Sequence, residues 1–238
     1  MGRYTSEDVS LWEEDNQWEL DTLEPKVGDL NSQPTQDHVV SVLSNTYVYV
    51  AFCQIAKGEY WAAKGALAKA CEMVKRLYEL ADLGFPLKPN TLRTGYFQHL
   101  LYAHAAGDSN LALALSRYLK IEHGGPEDSN YFCGILKALV EGRQEEAEEL
   151  LETPVPVVDK QYVGYADCLA AIVRRESGAF ADALATATDA WERHATRVFK
   201  DQPDVVCFLG GVGFVNLATS IGMKIIFSDE RIPKGMLV

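Results

Sequence analysis

Tyr131-Phe132-Cys133-Gly134-Ile135-Leu136-Lys137-Ala138-Leu139-Val140-Glu141-Gly142-Arg143-Gln144-Glu145-Glu146-Ala147 is one unit of a pattern that runs through most of the chain. Its apolar residues recur at three- and four-residue spacings up to Val140, the period of one helical face. Gly142 breaks the run, and five residues later Ala147 stands one turn into a second helical pattern. A glycine just past the last helical residue takes the left-handed cap without a Cβ clash. A small residue one turn into the next helix lets the paired helices cross closely. The stretch predicts a helical hairpin.

The same five-residue step links Gly58 to Ala63, Gly107 to Ala112 and Gly178 to Ala183. Tyr47, Tyr96 and Tyr131 stand eleven residues before the first three glycines, and Asp167 occupies the fourth aromatic place. Ala70 and Ala190 follow the first and fourth glycines by twelve. Gly107, Gly142 and Gly178 are 35 and 36 residues apart. These offsets resemble the tetratricopeptide repeat, a helix–turn–helix unit of about 34 residues. The step from Gly58 to Gly107 is 49, which predicts an insertion around Leu83-Gly84-Phe85-Pro86-Leu87-Lys88-Pro89. Any antiparallel helix bundle would use the same turns and contacts, and both alternatives are all-α. Helices are predicted over about 35–56, 59–82, 90–106, 109–121, 129–141, 143–152, 159–177, 180–199 and 202–222. Lys224-Ile225-Ile226-Phe227 is the one β-like run. The fold class is therefore an all-α helical-hairpin array of degenerate tetratricopeptide-like pairs, with at most a short strand near the C-terminus.

At 238 residues with 47% hydrophobic content, the chain can bury one large core or two small ones. Residues 1–33 read as a separate acidic segment, with nine acids against Arg3 and Lys26, and with Trp12 and Trp18 among them. Acid alone reads as a solvated tail, but tryptophan needs a large apolar area covered. The segment is expected to dock on the body or on a partner, and 34–238 to form a single all-helical domain. Across the whole chain 34 acids outnumber 22 bases, a net charge of −12. That field repels phosphate backbones and steers basic proteins inward, so the expected partner is a basic protein and not a nucleic acid.

Cys53, Cys71, Cys133, Cys168 and Cys207 stand far apart, as reduced thiols in a cytoplasmic protein would. Gly2 and Ser6 match the loose myristoylation pattern, but acids follow instead of the basic stretch that one acyl chain needs. Residues 205–223 carry no charge, yet hold Asn216, Thr219, Ser220 and four glycines, with acids on both flanks. The flanks lack the basic asymmetry of a membrane span. A helix buried on all sides is expected there, and no membrane association.

No catalytic motif is present. Gly210-Gly211-Val212-Gly213 lacks the Lys and Ser/Thr of a phosphate loop. His99 and His104 are five apart, off the four-residue spacing that sets two metal ligands on one helical face. No catalytic, cofactor-binding or metal-ligating residue is assigned, and no cofactor is expected. The densest acidic run is Glu141, Glu145, Glu146, Glu148, Glu149 and Glu152, with Ala147, Leu150 and Leu151 marking its buried side. It reads as a solvated helix face or as a recognition surface for a basic partner.

Three features resemble the bacterial immunity protein 49 family of polymorphic toxin systems. They are the length, the turn Ala105-Ala106-Gly107-Asp108, and the ending Leu217-Ala218-Thr219-Ser220-Ile221-Gly222, Ile225-Ile226-Phe227-Ser228-Asp229 and Ile232-Pro233. The resemblance covers roughly Asn130 to the C-terminus; the N-terminal third lies outside it. It implies a non-enzymatic cytoplasmic inhibitor that binds a cognate toxin domain, often a nuclease, delivered by contact-dependent or type VI secretion. Partner-binding candidates are Trp12, Glu13, Glu14, Asp15, Trp18 and Glu19 near the N-terminus, and Glu145, Glu146, Glu148 and Glu149. The competing readings are a tetratricopeptide-like adaptor or secretion chaperone that binds a peptide or effector, and an enzyme whose bundle hides a carboxylate site. Self-association into a homo-oligomer stays open.

Overall fold

The computed structural model describes residues 4–29, 35–85, 94–120 and 126–238. The described residues form ten α-helices and several short 3-10 turns, with no strand among them. The β-like run 224–227 has no regular secondary structure, within the expectation of at most a short strand there.

The helices, in chain order, are α1 (Ser6–Leu23), α2 (Gln36–Ala56), α3 (Tyr60–Asp82), α4 (Gln98–Ala105) and α5 (Ser109–Ser116). They continue with α6 (Glu127–Val140), α7 (Gln144–Leu151), α8 (Tyr165–Arg174), α9 (Ser177–Val198) and α10 (Leu209–Ser220). Four predicted helices are shorter than expected; 109–121 ends at Ser116 as α5. The span 159–177 is a 3-10 turn (Lys160–Tyr162) broken from α8 at Val163 and Gly164, and 202–222 is likewise broken between Pro203–Val205 and α10. The span 90–106 is a turn over Thr94–Phe97 leading into α4. Residues 86–93 and 121–125, with parts of the predicted insertion and of two helices, lie outside the described residues.

Four hairpins, α2/α3, α4/α5, α6/α7 and α8/α9, share one turn. At Gly58 the residue's N–H donates to Ile55 O and the next N–H, of Glu59, to Gln54 O, at 2.9 and 2.8 Å. Gly107 and Gly142 repeat both bonds, and each has φ between 72° and 79°. These are Schellman caps, which satisfy the carbonyls a helix end leaves open. The fourth cap is not Gly178, which lies inside α9. It is Arg175, at φ 58°, whose N–H donates to Ile172 O while Glu176 N–H donates to Ala171 O.

Register follows from that correction. Five residues after the caps stand Ala63, Ala112, Ala147 and Phe180, all fully buried, so Ala183 is not the fourth equivalent. Twelve residues after the first and fourth caps stand Ala70 and Ala187, not Ala190. Eleven before the fourth cap stands Gly164 in place of an aromatic, and a Cβ there would meet Ala187 N at 2.9 Å. The fourth hairpin thus closes through a missing side chain where the first uses Tyr47.

Consecutive hairpins pack on one another, and α10 returns to lie against α4, far from it in sequence. Gly210, Gly213 and Leu217 lie on one face of α10, at helical spacing. At Gly213 a Cβ would fall 2.4 Å from Leu101 O, so the two backbones approach directly. Asn216, 1% exposed, donates through Nδ2 to His104 O at 2.9 Å and Met236 O at 3.1 Å, and its Oδ1 accepts from Val238 N–H. One buried amide therefore ties α10, the end of α4 and the C-terminal residues together. The expected burial of the uncharged segment holds for all of Val205–Ala218. The only helix long and apolar enough to cross a membrane, among the described residues, is α2, and most of it is buried within the hairpins.

Candidate functional site

The ten partner-binding candidates fall on two helices, α1 and α7. α1 begins with a capping box in which Asp8 N–H donates to Thr5 Oγ1 and Thr5 N–H to Asp8 Oδ2, at 3.2 and 2.7 Å. Val9, Trp12, Asn16, Leu20 and Leu23 form a stripe at helical spacing that faces α2 and the core. The acidic start is therefore an amphipathic helix of the body. Trp12 is anchored by its indole N–H, which donates to Asp201 O at 3.2 Å, and by Tyr4 at 6.2 Å. Glu13 pairs with Lys57, and Glu19 accepts from the Thr46 hydroxyl. Glu14, Asp15 and Trp18 point outward, with Trp18 68% exposed.

On α7, Ala147 is buried and Glu145, Glu146, Glu148 and Glu149 are exposed. Glu146 pairs with Arg143, whose guanidinium also holds Glu141 at 2.7 Å. Glu145, Glu148 and Glu149 have no ion-pair partner among the described residues. α7 packs between α6 and α8, whereas α1 packs on α2, so the two candidate clusters do not merge into one surface. Trp61, at the start of α3, was not singled out by sequence reasoning and is 88% exposed.

A second locus was not legible in the sequence. A cavity of about 170 Å³ lies where α4, α8 and α9 meet the 3-10 turns Lys160–Tyr162 and Pro203–Val205. Its wall carries a hydrogen-bonded chain: Tyr102 Oη donates to Gln98 Oε1 at 3.0 Å, and Gln98 Nε2 donates to Tyr162 Oη at 2.5 Å. Trp191 stacks on Phe208 at 5.7 Å, and His194 meets Phe199 edge-on at 5.3 Å. Two buried polar atoms on this wall, Asp204 Oδ2 and His194 Nδ1, have no hydrogen-bond partner among the described residues. Burial pushes the Asp204 carboxyl up to about 6, so it is mostly ionised at neutral pH. Burial also pushes the Tyr162 hydroxyl up to about 12 and Tyr102 higher still, the latter helped by Asp204, so both keep their protons. Asp204 counted in the sequence only as one of several acids flanking an apolar run; nothing local marked it.

Among the described residues no group of three or more His, Cys, Asp or Glu is placed to hold a metal ion. The five cysteines are buried free thiols, and burial raises Cys53 to about 11 and Cys133 to about 12. His99 and His104 are buried core side chains, with His99 Nε2 3.0 Å from Ser44 Oγ. Comparison of the chain with protein-family models, curated proteins and solved structures finds no match.

Proposed function

We propose that the chain is a non-enzymatic binding protein of the immunity type, which neutralises a basic, nuclease-like toxin domain by direct contact in the bacterial cytoplasm. The observation that carries this reading is the outer face of α7, where Glu145, Glu148 and Glu149 are exposed and have no ion-pair partner among the described residues, Glu148 accepting only a hydrogen bond from Gln144. A nucleic-acid-binding groove is basic, and an acidic face of fixed shape complements it and accelerates encounter. Trp18 and Trp61 are large exposed aromatics of the kind that anchor interfaces. Trp12, Glu13 and Glu19 are engaged within the chain, so the N-terminal contribution reduces to Glu14, Asp15 and Trp18.

The test takes whatever protein domain is encoded directly beside this chain's gene, with binding kinetics and protection of cells measured on the same variants. Replacing Glu145, Glu148 and Glu149 together by Lys should slow association about tenfold or more and flatten its salt dependence, with dissociation little changed. Undiminished association by the triple variant, or no binding of that domain by the wild-type chain, overturns the reading.

A further inference from the structure

We propose that a pocket beside the C-terminal half of α9 binds the phosphate group of a small organic phosphomonoester. The pocket encloses about 250 Å³ and is lined by Lys160, Val163, Ala190, Arg193, His194 and Arg197. Ala190, Arg193, His194 and Arg197 lie on one stripe of α9, at steps of three and four residues. Lys160 meets them from the 3-10 turn Lys160–Tyr162, which packs on that helix. The acids that would neutralise these cations are engaged elsewhere. Asp189 and Glu192, on another side of α9, accept from Arg231 at 2.8 and 2.7 Å. Asp159, next to Lys160, caps the 3-10 turn by accepting from Gln161 N–H at 3.0 Å. Among the described residues the side chains of Lys160, Arg193 and Arg197 make no ion pair and no hydrogen bond. The negative end of a helix accounts for Arg197, in the last turn of α9, but not for Arg193 a turn earlier or for Lys160 outside the helix. In a chain of net charge −12, three cations gathered without an acid mark a site for an anion. Guanidinium groups bind phosphate oxygens in pairs, and lysine adds a point charge. Buried Ala190 and the Val163 side chain supply an apolar contact for the organic part. Benzene fits a cavity of about 150 Å³, so this volume takes such a ring together with a phosphate.

Phenyl phosphate is a suitable probe, with inorganic phosphate and benzyl alcohol as its two halves, titrated by calorimetry and by amide chemical shifts on the full chain. The expected result is saturable one-to-one binding of phenyl phosphate, with shifts centred on Lys160, Arg193 and Arg197. Inorganic phosphate should bind about threefold weaker or more, and the alcohol weakest of all. Arg193→Gln and Arg197→Gln, both at exposed positions, should each weaken phenyl phosphate about fivefold or more. Lys200→Gln removes an equal charge from outside the pocket and should change binding by less than about twofold. An equal loss with Lys200→Gln, shifts centred elsewhere, inorganic phosphate bound as tightly as the ester, or no saturable binding below about 10 mM overturns the proposal.

Discussion

Two glycine-to-alanine substitutions in this chain should have opposite signs, and the difference isolates the contact between α10 and α4. Both Gly65 and Gly213 lie inside helices, so alanine at either gains about 1 kcal/mol of helix propensity. At Gly65, on the exposed side of α3, an added Cβ meets nothing within 4 Å. Gly65→Ala should therefore stabilise the fold by about 0.5–1 kcal/mol. At Gly213 the Cβ would lie 2.4 Å from Leu101 O and 2.8 Å from Leu101 C. These are backbone atoms of a packed helix and cannot rotate away. α10 must withdraw, which loosens the Asn216 bonds to His104 O and Met236 O. Overpacking of this kind costs about 1–3 kcal/mol, occasionally more, and outweighs the propensity gain. The cost less the gain leaves a net loss of up to about 2 kcal/mol for Gly213→Ala. For a chain of this length each kcal/mol moves the thermal midpoint by about 2–4 °C, so the two variants should melt on opposite sides of the wild type. Scanning calorimetry reads both. A Gly213→Ala protein that melts at or above the wild type would refute the close approach of α10 to α4.

Arg175→Gly should raise stability by about 0.5–1 kcal/mol in urea unfolding, because a side chain at φ 58° is strained and the added freedom of the unfolded chain offsets only part of the relief; a loss would mean that the arginine side chain holds the cap. Ala147→Leu should cost about 1–3 kcal/mol by overpacking the α6/α7 crossing, and an unchanged melting midpoint would place Ala147 off that crossing. Acid should destabilise the fold. Burial lowers His99 to about 3 and His104 to about 4, so the stability of their neutral forms is fully present above the unfolded value of 6.5 and is lost as pH falls toward those values. Asp204, raised from 3.8 to about 6, acts in the opposite sense and recovers part of the loss between pH 6 and 4. The net loss by pH 4 is on the order of 4 kcal/mol, measurable as a falling urea midpoint, and His104→Gln should flatten the curve. A midpoint constant from pH 7 to 4.5 would contradict the burial of both rings.

Much of the fold follows from local rules that any segment carries with it. Helical periodicity, glycine at a left-handed cap and alanine one turn later are properties of neighbouring residues, so three of the four hairpins could be read directly from Gly58, Gly107 and Gly142. The fourth could not, because Arg175 occupies a conformation that its residue type does not advertise, and Gly178 three residues on imitates the signal. The stripe Val9, Trp12, Asn16, Leu20 and Leu23 and the Thr5–Asp8 box were present in the sequence too, but masked by nine acids. Tertiary structure alone decided what lay beyond local range. It brought α10 onto α4 across more than a hundred residues, turned Trp12 inward against Asp201, and left Trp18 and Trp61 outside. It also gathered Asp204, His194, Tyr102 and Tyr162 around one cavity from four separate segments. Such a site depends on which faces meet, and faces meet according to shape and the burial of whole helices, a quantity that no local stretch of sequence contains.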